Sequence, residues 1–198
     1  TAWRGQSANR IIRIAGRSGN ANAGHRQKNQ TNAGEISARK RKGAEKSDHM
    51  RKSCALTGHR SLPETFDANA VYDRLEELIK DGCDTFFCGM AQGFDLLALE
   101  CLADLKKKYP VFIEACIPFE GQERNYSEEE KQKYNRLLDW CDRKTVLYET
   151  YCRGCFLARD RYMADCADVV LAYCIKETGG TAYTVRYAEK KQIPVIRL

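Results

Sequence analysis

From Lys52 to the C-terminus the chain alternates short apolar runs with stretches of helical periodicity, and this alternation constrains the fold more than any other feature. The apolar runs cover residues 53–56, 85–88, 111–117, 144–148, 168–174 and 194–196, each short enough for a buried strand. Between them, Val71, Leu75, Leu78 and Ile79 recur at helical spacing. Phe94, Leu97, Ala98, Cys101, Leu102 and Leu105 do so again. Ser127 stands three residues before Glu130, a capping-box pattern, and opens a helix with Tyr134, Leu137, Leu138 and Cys141 on one face. Further helices are expected over residues 154–166 and from the glycines at 179–180 to about Lys191. Strand and helix in strict alternation predict an α/β fold: a doubly wound, Rossmann-like three-layer sandwich around a mostly parallel sheet.

Charge divides the chain at Met50. Residues 1–50 hold 11 Lys/Arg against 3 Asp/Glu, a net of +8, and residues 51–198 hold 22 against 24, a net of −2. The basic character therefore belongs to the first segment and not to the folding unit. Residues 1–50 are rich in Arg, Lys, Gly, Asn, Ala and Ser, with one apolar patch at Ile11, Ile12 and Ile14, too little to bury a core. They read as a basic low-complexity tail, or as sequence lying upstream of a start at Met50. Two sharper readings are a nucleic-acid or acidic-partner arm centred on Arg39, Lys40, Arg41 and Lys42, and an Arg-rich transit peptide. The domain is expected over residues 51–198.

All ten cysteines lie in that domain, most inside apolar runs, where they read as small buried hydrophobes kept reduced in a cytoplasmic setting. Cys152 and Cys155 have metal-ligand spacing, but no second short-spaced Cys/His pair accompanies them, so no metal site is expected. No apolar run is long enough to span a bilayer, and no membrane partner is expected.

In an open parallel sheet, ligands bind beyond the carboxyl ends of the strands, where helix N-termini converge. Three glycine-bearing turns follow strands and lead into helices: around Gly58, around Gly89 and Gly93, and around Gly179 and Gly180. Glycine lets the backbone approach an oxyanion closely, and the first N–H groups of the following helix favour its charge. Gly179-Gly180-Thr181 is the best phosphate cradle, with the Thr181 hydroxyl as a further donor or simply as a helix cap. Thr57-Gly58-His59-Arg60 adds a hydroxyl, an imidazole and a guanidinium suited to bidentate phosphate binding. Asp95 is placed either to complement its helix dipole or to accept from ribose hydroxyls. Neither a GxGxxG nor a GxxxxGK[ST] run is present, which disfavours NAD-dependent hydride transfer and P-loop ATPase chemistry.

Taken in order, Cys54-Ala55-Leu56-Thr57-Gly58-His59-Arg60, Gly89-Met90-Ala91-Gln92-Gly93-Phe94-Asp95, Ile117-Pro118-Phe119-Glu120-Gly121-Gln122, Arg159-Asp160-Arg161-Tyr162-Met163 and Gly179-Gly180-Thr181 resemble the YpsA-like family of the SLOG (SMF/DprA and LOG) superfamily. The resemblance implies a Rossmann-like fold and a nucleotide-derived ligand. It places Thr57, Gly58, His59, Arg60, Gly89, Met90, Gly93, Asp95, Arg159, Gly179, Gly180 and Thr181 at the pocket, with Phe119 and Gln122 along its side. Asp160 stands where the family pattern has Asn. The LOG branch, which resembles phosphoribohydrolases, carries a catalytic Glu at the place Thr184 takes here. Acid–base work would then fall to Asp95, Glu177 or His59.

The leading expectation is therefore a module that binds or senses an ADP-ribose-like ligand, with no obligatory cofactor. A nucleotide or N-glycosidic hydrolase is the alternative. DprA-type binding of single-stranded DNA is a third, with nucleic acid otherwise reached only through the basic tail, and a homodimer is the expected assembly.

Overall fold

A computed structural model describes residues 11–13, as backbone, and residues 51–198. The expectations for a tail or an arm fall on residues that lie, apart from 11–13, outside the described ones. Seven strands form one sheet: β1 (Ile11–Arg13), β2 (Lys52–Gly58), β3 (Cys83–Cys88), β4 (Phe112–Phe119), β5 (Arg143–Tyr148), β6 (Val169–Tyr173) and β7 (Val195–Arg197). Their order is β1-β5-β4-β3-β2-β6-β7, with every neighbouring pair parallel. Five α-helices are described: α1 (Ala68–Lys80), α2 (Phe94–Leu105), α3 (Glu128–Leu138), α4 (Cys155–Cys166) and α5 (Gly180–Lys190). The α/β sandwich and its parallel sheet thus stand as the alternation required. The short apolar patch near the N-terminus supplies β1, which extends the sheet beyond β5 at Ile11↔Lys144.

Side-chain direction alternates along a strand, so β2, β3, β4 and β6 each feed two cores. Cys54 and Leu56 of β2 join Val71, Leu75, Leu99, Leu102 and Tyr134 beneath α1, α2 and α3. Ala55, one residue out of phase, joins Met163, Val185 and Ala188 beneath α4 and α5. Because Leu102 has no exposed surface, truncating it to Ala removes about 2–5 kcal/mol of stability. The capping box at α3 is present: Ser127 Oγ accepts from Glu130 N at 3.2 Å, and Glu130 Oε2 accepts from Ser127 N at 2.9 Å. β4 runs through Pro118, where the sequence implied a stop. Its pairing with β3 ends at Ala115, and along β5 the register joins Ile117 to Val146 and Phe119 to Tyr148. A residue without an N–H is tolerated in that half-free stretch.

Connectivity fixes where a ligand crevice opens. The chain steps outward from β2 through β3 and β4 to β5, then crosses back to lay β6 on the other side of β2. The connections leaving β2 and β6 therefore diverge, and a crevice forms at their carboxyl ends.

Candidate functional site

A cavity of about 240 Å³ opens at this switch point, lined by Thr57, Gly58, His59 and Arg60 after β2, Ala91 and Asp95 from the β3–α2 turn, Phe156, Leu157, Arg159 and Asp160 from α4, and Gly180 and Thr181 at the start of α5, with Leu56 at its floor. Eight residues predicted from the sequence meet here: Thr57, Gly58, His59, Arg60, Asp95, Arg159, Gly180 and Thr181. Three further glycines lie outside the lining, Gly89 and Gly93 behind the wall and Gly179 exposed beside it. At Gly93 (φ +75°) an added Cβ would lie 2.3 Å from the Arg60 carbonyl oxygen, so the β2 and β3 turns touch backbone to backbone. At Gly89 a Cβ would fall on the Arg159 guanidinium and 2.7 Å from Asp95 Oδ2. Gly179 has φ +98° and ψ −176°, a region open in practice to glycine alone.

The glycine corners differ in what their amides do. At the β3–α2 corner, Phe94 N donates to His59 O at 3.1 Å and Leu96 N to Ala91 O at 3.3 Å. Ala91 N donates to Asp95 Oδ2 at 3.3 Å, and Met90 N approaches Cys88 Sγ at 3.5 Å. Gln122, expected along the pocket, is buried and donates through Nε2 to the Gly89 and Met90 carbonyls at 3.3 and 3.0 Å. Met90 itself, at φ 56°, has its side chain wholly inside the core and not in the cavity. At this corner the amides of Met90, Ala91, Phe94 and Leu96 are spent in holding the loops together.

At the β6–α5 corner, the N–H groups of Gly180, Thr181 and Ala182 reach no backbone or side-chain acceptor among the described residues, as expected of a helix's first turn. The Thr181 hydroxyl is occupied: it donates to the Gly58 carbonyl at 2.8 Å and ties α5 to the end of β2. The hydroxyl's proton is thus spent on that carbonyl, and Thr181, inside the helix after the N-cap Gly179, makes no side-chain cap. His59 performs the matching tie, its Nε2 accepting from Ile175 N at 2.9 Å. This bond requires the neutral ring with its proton on Nδ1. Burial first, and then the nearby Lys176 charge, lower the His59 pKa and favour that form.

Two cations face the cavity in different states. Arg159 is buried and already committed: Nε donates to Asp160 Oδ1 at 2.8 Å, and Nη1 to the Gly89 carbonyl. Burial works against its charge, but Asp160 and Asp95 outweigh that and raise its pKa. Arg60 is exposed, lies over the Phe156 ring at 5.2 Å, and makes no ion pair or hydrogen bond among the described residues. The Thr57 hydroxyl, on a residue only 8% exposed, likewise has no partner among them. Asp95 is the unusual acid. Burial pushes its pKa up to about 7, with Arg159 and the Ala91 N–H pulling down and Asp160 pushing further up. Near neutral pH its carboxyl therefore both accepts and donates.

The remaining candidates divide. Phe119 stands one ring behind the cavity, edge-on to Phe156 at 5.7 Å. Glu177 is exposed and outside the lining. Thr184, at the place of the LOG-branch carboxylate, is buried and donates to the Gly180 carbonyl at 3.0 Å. Phe156, Leu157 and Ala91 carry no sequence signal that points to the site, and Asp160 shows only as a departure from the family pattern. All ten cysteines are free thiols, six of them buried. Among the described residues no group of three or more His, Cys, Asp or Glu side chains could hold a metal ion, and no helix is long and apolar enough to cross a membrane.

Fold and site together define a Rossmann-like α/β protein with a pocket at its topological switch point. Residues 66–194 match the model of the YpsA family, described as the YspA SLOG family, and the chain belongs to that family. The turn at 57–60 precedes the matched span. Similar proteins include the UPF0398 protein of Listeria monocytogenes serotype 4a (strain HCC23), 29% identical over 147 residues, which are 67% of this chain and 80% of that protein. Another is the UPF0398 protein YpsA of Bacillus subtilis (strain 168), 29% identical over 129 residues, 62% of this chain and 71% of that one. Among solved structures, DNA processing protein A (DprA) from Streptococcus pneumoniae superimposes with TM-score 0.56 at 20% identity, and DprA from Helicobacter pylori with TM-score 0.56 at 23%. Each covers 74% of this chain, which spans only 50% and 64% of theirs, and the likeness is one of fold.

Proposed function

We propose that this protein binds, as a sensor or binding module, a phosphate-bearing nucleotide derivative of the ADP-ribose type in the switch-point pocket. One observation carries the reading: the first-turn amides of α5, the Arg60 guanidinium and the Thr57 hydroxyl, none with a hydrogen-bond or ion-pair partner among the described residues, border the same cavity. Oriented amides at a helix N-terminus and a planar cation are the donor set that phosphate oxygens take. Asp95, one strand further along, is placed to meet ribose hydroxyls. Calorimetry with AMP, ADP-ribose and NAD tests the proposal. Micromolar binding of at least one, weakened tenfold or more by Arg60→Ala, supports it; the absence of binding by all three removes it.

A second reading, hydrolysis of an N-glycosidic bond, is favoured by one feature, a buried carboxyl in the pocket that titrates near 7, where a general acid works best. Against it, the LOG-branch carboxylate is replaced by Thr184. Release of adenine from AMP that Asp95→Asn abolishes would put this reading first. The Helicobacter pylori neighbour binds single-stranded DNA. Here the body of the chain is slightly acidic, residues 51–198 holding 22 Lys/Arg against 24 Asp/Glu, a poor charge balance for a phosphate backbone.

A further inference from the structure

The cavity is small for the ligand it is proposed to hold. At about 240 Å³ it falls below the roughly 300–1,000 Å³ usual for ligand clefts, so part of a whole nucleotide must lie outside it. The layout of the sheet says which part and where. Along the carboxyl rim the order is β6, β2, β3, β4, β5, with the free α5 amides after β6, Arg60 after β2 and Asp95 after β3. Phosphate donors thus occupy one end and the ribose acceptor the middle.

At the other end stand three aromatic rings. Phe119 ends β4, Tyr151 lies in the β5–α4 connection, and Phe156 opens α4 and lines the cavity. Phe119 meets Tyr151 edge-on at 5.5 Å and 82°, and Phe156 at 5.7 Å and 83°. Tyr151 lies 6.5 Å from Phe156. Two of the rings are thereby fixed against one another, while Tyr151 remains 65% exposed. From β6 to β4 is three strand spacings, about 14 Å, so a ligand held on the α5 amides approaches the aromatic end only if it carries more than a sugar phosphate.

We propose that Tyr151, held by Phe119 and Phe156, is the stacking platform for the base of a purine nucleotide whose phosphate sits on the α5 amides. This subsite rests on the phosphate-pocket reading above and extends it to the base. A tyrosine face offers stacking area with little entropy to lose, because its neighbours already hold the ring.

The test compares AMP with ribose 5-phosphate, which lacks the base, by calorimetry on the full chain and on Tyr151→Ala. Because Tyr151 is mostly exposed, the variant is expected to fold, and circular dichroism checks this. The subsite predicts that AMP binds roughly fivefold to hundredfold tighter than ribose 5-phosphate, and that Tyr151→Ala erases most of this margin without changing ribose 5-phosphate affinity. Tyr151→Trp should keep AMP binding, with indole fluorescence quenched by AMP and not by ribose 5-phosphate. If the two ligands bind equally, or AMP affinity survives Tyr151→Ala, the base platform is wrong while the phosphate pocket stands. If neither ligand binds, both proposals fall.

Discussion

Two corners of the sheet carry the same sequence signal and have opposite uses. The β3–α2 and β6–α5 turns each follow a parallel strand, and in each a positive-φ glycine directly precedes the helix, Gly93 and Gly179. At the first, the β2 loop, Gln122 and the Asp95 carboxyl group fill the surroundings, and the amides of Ala91, Phe94 and Leu96 are bonded inside the protein. At the second, a Cβ added to Gly179 would meet nothing within 4 Å, and the helix's leading amides are unbonded among the described residues. On the proposed reading, a glycine corner serves as an anion site only where the topology leaves it bare. That difference lies in packing and not in residue type.

Glycine substitution should separate the corners most sharply. Gly93→Ala forces a side chain into a positive-φ conformation with a backbone oxygen 2.3 Å away, and should remove at least about 3 kcal/mol in chemical denaturation. Gly180→Ala meets only Asp160 Oδ2 at 3.8 Å and should leave stability within about 0.5 kcal/mol. Its methyl nevertheless enters the pocket and should weaken nucleotide binding. A Gly180→Ala protein that unfolds more easily than Gly93→Ala would reverse the comparison.

Next in size is acidity. The folded pKa of Asp95 lies above its unfolded value of 3.8, so its contribution to stability is complete below that value and is lost as pH rises through about 7. His59 has the opposite sign: its folded pKa is lowered, so its contribution is present above about 6.5 and lost as pH falls through the folded value. Denaturation of the protein and of Asp95→Asn between pH 4 and pH 8 isolates the acid. The unsubstituted protein should lose ground to the variant steadily over that window, and parallel curves would show that Asp95 is not the buried proton holder.

Arg60→Ala should have the smallest structural effect and a selective functional one. Its side chain is exposed and without an ion pair among the described residues, so stability should change by less than about 0.5 kcal/mol while phosphate-ligand affinity drops about tenfold. Equal losses of stability and binding would make Arg60 a structural residue held by Phe156.

Much of the fold is legible in the sequence because parallel strands and amphipathic helices write their burial into periodicity. The β2 run alternates Cys54, Ala55 and Leu56 between the two cores, whereas in α2 the buried face takes in Leu96, Leu99 and Ala103, and Leu97 and Cys101 of the expected face are only half-buried because the helix is apolar nearly all round. The glycine corners announce which end of the sheet carries the site. What cannot be read is side-chain direction at irregular positions. Met90 belongs to a pocket motif, yet its positive φ turns the side chain into the core. Phe156 gives no signal of its own, because only the crossover from β5 to α4 brings that helix's first turn over the switch point. Gln122 and Thr181 invite a ligand-binding reading through their donors, when those donors serve carbonyls of neighbouring loops.

Amide chemical shifts during a titration with AMP probe the account at its root. The N–H resonances of Gly180, Thr181 and Ala182 should move together and saturably, while those of Ala91 and Phe94, already bonded to Asp95 and His59, stay nearly still. Large shifts at Ala91 and Phe94 with none at 180–182 would mean that the closed corner, and not the open one, receives the anion.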